Sequence, residues 1–208
     1  MNDTIFLQKP ADKADALVLL FHGVGASPAD MVTLGRAVAA QQPRAAVVCI
    51  RAPHASDPGR GYQWFAVTGI TEDNRSGRIA VAMPLFVDTV RHWQHECGID
   101  SAHTTLIGFS QGAIMSLEST RLPEPVARRI VAIAGRYATP FQPDIWSGTL
   151  HFLHGDKDPV ITVQHSIDAA SWLKRAGATV TLDLIPDLGH RIDDRLISAL
   201  LQRMADDR

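Results

Sequence analysis

Short apolar runs recur from one end of the chain to the other, at residues 16–21, 46–50, 104–108, 130–134, 150–153 and 180–185. Most are apolar at nearly every position. Strands of that kind must be covered on both faces, as in a parallel sheet layered between helices, whereas half-exposed antiparallel strands would alternate. The run at 180–185 does alternate, which predicts a position near a sheet edge. Between the runs, apolar residues return every three or four positions. Ile79, Ala82, Met83, Phe86, Val90 and Trp93 form one helical stripe, which Pro84 is expected to kink. Val163, Ile167, Ala170 and Leu173 form a second, and Ile192, Leu196, Ile197, Leu200, Leu201 and Met204 a third. The expectation is an α/β fold with a mostly parallel central sheet and helices on both faces. At 208 residues, one domain spanning 1–208 accommodates it.

The formal net charge of −2 supplies no basic footprint for nucleic acid and no polybasic stretch for anionic lipid, which points to a small-molecule partner. The start, Met1-Asn2-Asp3-Thr4, lacks the positive segment of a secretory leader. The run at 16–21 is too short to cross a bilayer, so no stable membrane insertion and a cytoplasmic location are expected. Cys49 and Cys97 stand in no metal or redox spacing and read as unpaired thiols. His92, His95 and Glu96 share a helix but lack the further ligand a metal needs, and read as a solvated face. An exposed apolar helix face would be available for a homodimer.

In open α/β sheets, ligands gather at the C-terminal ends of the strands. The run at 104–108 leads into Gly108-Phe109-Ser110-Gln111-Gly112 and then an apolar helical segment. Such a pentapeptide recurs by chance, but its strand-turn-helix context is that of a nucleophile elbow. A serine on so sharp a turn strains its backbone, and the flanking glycines let strand and helix approach. At a helix N-terminus, unpaired N–H groups favour developing negative charge.

A hydroxyl is a weak nucleophile unless an imidazole takes its proton. His190, in Leu188-Gly189-His190 after the last strand, is the candidate base, because the other histidines fall on helices, too early, or at no strand end. The carboxylate that orients it comes from His154-Gly155-Asp156-Lys157-Asp158-Pro159-Val160, in which Asp156 and Asp158 compete. After the first long run, His22-Gly23-Val24-Gly25 supplies a glycine-bearing loop. The Val24 N–H and the Gln111 N–H, next to the nucleophile, are the candidate oxyanion donors; an ordinary βα turn is the plain alternative. Trp64, Phe65, Phe141 and Trp146 lie in loop-like stretches and, read as exposed, are candidate substrate-binding residues; they could equally just cover the sheet ends.

These blocks resemble the small carboxylesterase/phospholipase family of α/β-hydrolases, which includes bacterial carboxylesterases and acyl-protein thioesterases. The matching pieces run through most of the chain in the family's order: Phe21-His22-Gly23-Val24-Gly25, Arg51-Ala52-Pro53, Gln63-Trp64-Phe65, the Ser110 elbow, the His154-to-Val160 block and Gly189-His190. The resemblance implies the α/β-hydrolase fold and a serine hydrolase of small esters or thioesters that needs no cofactor. It implies a triad of Ser110, Asp158 and His190, with the second aspartate of its block as the acid, and oxyanion donors at Val24 and Gln111. The sequence departs from the family at Ala26, Ala113 and Ala134-Gly135-Arg136-Tyr137, which bears on substrate preference. The stretch 135–148 is short for a lid, so a minimal lid and an open site are expected. A peptidase or lactone hydrolase would use the same triad, and a non-catalytic binding member would have lost part of it.

Overall fold

A computed structural model describes residues 3–57, 59–139 and 146–206. In chain order the elements are β1 (Ile5–Gln8), β2 (Ala16–Phe21), α1 (Val32–Gln41), β3 (Ala45–Ile50), β4 (His54–Ala55), β5 (Tyr62–Gln63), α2 (Glu72–Cys97), β6 (Thr104–Phe109), α3 (Gln111–Glu118), β7 (Arg129–Ile133), β8 (Thr149–Gly155), α4 (Gln164–Arg175), β9 (Thr179–Ile185) and α5 (Asp194–Asp206). Seven strands form one sheet in the order β1-β3-β2-β6-β7-β8-β9, all parallel except β1. This is the α/β-hydrolase arrangement, and the alternating run, β9, does occupy an edge.

The apolar runs are buried because alternate residues of each strand enter two separate cores. Leu17, Leu19 and Phe21 of β2 join Phe86 and Val90 of α2, Met115 and Leu117 of α3, and Leu173 of α4 on one face. Val18 and Leu20 join Leu34 and Val38 of α1 and Leu196, Leu200 and Met204 of α5 on the other. The long α2 starts at a reciprocal cap, in which the Thr71 hydroxyl accepts from Asn74 N–H and the Asn74 side chain accepts from Thr71 N–H. It ends at Gly98, whose φ of 65° suits glycine, and it carries Pro84 within its length. Helix α1 goes beyond the sequence reading, and so do two strand features, the antiparallel edge strand β1 and the two-residue ribbon β4–β5. Both are too short, and β1 too incompletely buried, to leave a periodic signature.

The chain turns from β2 outward to β3 and then back to β6 on the other side of β2. The crevice between β2 and β6 is therefore the point where strand order reverses, the usual ligand position in such sheets. Close approach there depends on glycine. A Cβ on Gly112 would lie 2.3 Å from the carbonyl oxygen of Phe21, and one on Gly108 2.4 Å from Gly112 and Ala113 backbone atoms. Gly112→Ala is accordingly expected to lower unfolding stability by about 3 kcal/mol, at the upper end for overpacking. Denaturant unfolding measures it, and parental stability would mean that α3 can move away from β2 at little cost.

Candidate active site

The elbow places Ser110 between the last residue of β6 and the first of α3, with φ 52° and ψ −114°. A non-glycine residue there stores about 1–3 kcal/mol of strain and persists only when its surroundings hold it. Ser110 N–H donates to Ile133 O of the neighbouring strand at 2.9 Å, and Ser110 C=O accepts from Ile114 N–H at 3.0 Å. The turn is fixed from both sides.

The loops after β8 and β9 are laced to each other. Asp156 N–H donates to Ile185 O and Lys157 N–H to Leu188 O, at 3.1 and 3.0 Å. Gly155 permits this approach, since a Cβ on it would lie 2.2 Å from Leu188 O. The lacing also separates the two candidate carboxylates. Asp156 turns away and accepts from Asp187 N–H at 2.7 Å, bracing a residue of φ 56°. Asp158 points inward, its Oδ2 2.7 Å from His190 Nδ1, while His190 Nε2 lies 2.9 Å from Ser110 Oγ.

Burial works to raise the Asp158 carboxyl. The hydrogen bonds from His190 and from Ile161 and Val160 N–H outweigh it and leave the group below its usual range. An ionised carboxylate only accepts, so His190 carries its proton on Nδ1 and presents a free lone pair on Nε2 to the Ser110 hydroxyl. The Phe109 ring, 4.9 Å from the imidazole centroid and tilted 38° to it, backs His190 in that orientation. A hydroxyl so placed can pass its proton to an imidazole that the carboxylate then stabilises as a cation.

The loop carrying Val24 lies against the serine, since a Cβ on Gly23 would come within 3.1 Å of Ser110 Cβ. Among the described residues neither Val24 N–H nor Gln111 N–H donates to a backbone carbonyl. The loop is shaped by Gly25 N–H to Tyr62 O at 3.0 Å and by His22. Nδ1 of His22 lies 2.7 Å from Gly23 O and Nε2 3.2 Å from Ala52 N, so the ring bears its proton on Nδ1 and ties this loop to the one after β3. Burial holds His22 below the ordinary histidine range, in keeping with the neutral ring this requires.

The exposure read for the aromatic candidates needs correction. Trp64 and Phe65 are 2% and 5% exposed, not surface residues. Trp64 packs against Phe21 and, edge-on at 5.0 Å, against Phe86 of α2, which covers it. Both line a groove of about 580 Å³ with Val81 and Leu85. Trp146, 8% exposed, packs over Gly148 beside Ala102 and Arg128, at the N-terminal ends of the strands and away from the serine. Phe141 falls outside the described residues, as does 140–145 of the stretch read as a minimal lid. The sequence reading missed the Gln111 side chain. Its Oε1 accepts from Trp64 N–H at 2.7 Å and its Nε2 donates to Phe65 O at 2.8 Å, clasping that segment to the elbow. The adjacency of the matched Gln63-Trp64-Phe65 and Ser110-Gln111 blocks could not show this, because they meet only in three dimensions.

Fold and geometry together define an α/β-hydrolase. The chain belongs to the phospholipase/carboxylesterase family, whose model matches residues 2–205, and is a carboxylic ester hydrolase. It is 44% identical to Esterase YpfH of Escherichia coli (strain K12) over 203 residues, which are 98% of this chain and 88% of that one. Among solved structures it is similar to esterase PE8, with a TM-score of 0.88 and 28% identity over 98% of this chain and 99% of that one. The Bacillus cereus carboxylesterase shares the fold, with a TM-score of 0.81 at 18% identity over 99% and 94% of the two chains. No described helix is long and apolar enough to cross a membrane.

Proposed function

We propose that the chain cleaves small carboxylic esters and thioesters through an acyl-enzyme on Ser110, with His190 as general base and acid and Asp158 orienting it. The observation that carries this reading is the unbroken row from Ser110 Oγ through His190 to Asp158, at 2.9 and 2.7 Å. His190 Nε2 takes the hydroxyl proton as Oγ adds to the carbonyl carbon, and the oxyanion rests on the Val24 and Gln111 N–H groups. The proton then passes to the leaving alcohol or thiol as its bond to the acyl carbon breaks. Water, deprotonated by the same imidazole, adds to the acyl-enzyme and releases the acid and Ser110. These residues and water suffice for every step.

The test is labelling with a fluorophosphonate probe followed by peptide mapping. The expected outcome is one phosphonyl group on the Ser110 peptide and loss of ester turnover in proportion to labelling. Labelling at another serine, or turnover that survives full modification of Ser110, would refute the assignment. Turnover of matched ester, thioester, lactone and amide substrates then ranks the leaving groups.

A further inference from the structure

His154, near the end of β8, is fully buried and takes no part in the proton transfers above. Its Nε2 lies 2.8 Å from Ile161 O and 3.2 Å from Asp158 Oδ2, and its Nδ1 lies 2.7 Å from Ser166 Oγ. A carbonyl only accepts, so the proton sits on Nε2, and the Ser166 hydroxyl donates to the bare Nδ1. The ring thereby grips the Asp158 turn at two places. The Nε2–H points to Ile161 O, and its positive end also lies beside Oδ2, the oxygen that faces His190. Ile161, whose carbonyl His154 holds, donates its N–H, in the preceding peptide, to Asp158 Oδ1 at 2.9 Å. The ionisable groups facing His154 are Asp158 and His190.

We infer that His154 is a positioning residue, which through Ile161 and its own Nε2–H fixes the orientation and charge density of the carboxylate that holds His190. Ser166 on α4 locks that ring in place. The inference rests on the triad reading above. Burial, the dominant influence on His154, holds it below the ordinary histidine range and so in the neutral form this role needs.

The consequence is a rate effect with a distinctive pH signature. Withdrawing the N–H leaves Asp158 less well oriented and its charge less dispersed, so it holds the imidazolium form of His190 more tightly. The acidic limb of kcat/KM then moves to higher pH. His154→Met removes the donor at similar volume, His154→Asn removes it while keeping a partner for Ser166, and His154→Gln returns an N–H to the same reach. For Met and Asn the expected result is a kcat lowered about tenfold, equivalent to about 1.4 kcal/mol, with KM within about twofold and the limb displaced upward. His154→Gln recovers most of both.

Rates are normalised to sites titrated with the fluorophosphonate probe, so that a loss of folded enzyme is not read as a loss of kcat. A merely structural histidine would lower thermal stability and the titratable fraction, leaving the limb where it is. In the parent protein, nitrogen-15 NMR of labelled histidine should show His154 as the neutral Nε2–H tautomer. An Nδ1–H tautomer, or Met and Asn variants with parental kcat and an unmoved limb, overturns the inference. Should His154→Met not fold, His154→Asn decides between the same outcomes. If the parent fails to label at Ser110, the triad reading itself falls; if it labels there and the limb stays put, only the role of His154 does.

Discussion

Ser110→Ala is expected to lower kcat by about 10⁶, leaving only the slow turnover that bound substrate and the oxyanion donors support without a nucleophile. The loss is that large because serine, imidazole and carboxylate act as a unit: once the 2.9 Å contact from His190 Nε2 has no hydroxyl to meet, the rest of the row has nothing to activate. The fold should survive, since alanine keeps the Cβ and the Ser110 hydroxyl caps no backbone group of α3. Thermal unfolding within a few degrees of the parent would establish that. Intact-mass measurement during a short ester pulse then reads the chemistry directly, with an acyl adduct in the parent and none in the variant. Turnover within a hundredfold of the parent in a folded variant would mean that another group attacks the substrate.

Asp158→Asn is expected to cost as much as about 10⁴ in kcat with little change in substrate binding. Asp158 Oδ1 accepts from Val160 and Ile161 N–H at 2.8 and 2.9 Å, so an asparagine there keeps its oxygen on that side. Its NH₂ then faces His190 Nδ1. The imidazole must answer with a lone pair on Nδ1, which moves its proton to Nε2 and aims it at Ser110, where a base is required. Asp156→Asn is the matched control, because an amide oxygen can still accept from Asp187 N–H and brace that turn. Parental activity in the Asp158 variant together with collapse in the Asp156 variant would reverse the two roles.

The elbow was legible in the sequence because its determinants are local. Gly108 and Gly112 flank Ser110 within five residues, and the strand and helix on either side carry their own periodicity. The two aspartates were not separable in that way. They stand two residues apart on one loop, and only the lacing of that loop to 185–188 turns one outward to Asp187 and the other inward to His190. Trp64 and Phe65 misled for a related reason: their segment has the composition of a surface loop, and they are buried by an α2 helix that follows them. The Gln111 clasp and the His154 contacts are likewise side-chain bonds across loops that no spacing announces.

By itself the sequence determined the layered sheet and the sharp bend that strains Ser110, since each depends on residues near one another in the chain, and it showed the order of the serine, carboxylate and imidazole, which is read directly along the chain. Tertiary structure decided how Asp158, the carboxylate the family resemblance pointed to, reaches the imidazole, where each ring carries its proton, and which aromatics are covered. β6 and β9 are separated by two strands, so the loops bearing Ser110 and His190 start roughly 14 Å apart at the usual strand spacing. Closing that gap to 2.9 Å requires the loop after β9 to lean back across the strand ends, held there by backbone bonds to the loop after β8. Those bonds join residues about thirty positions apart, and their geometry exists only once the strands have taken their order.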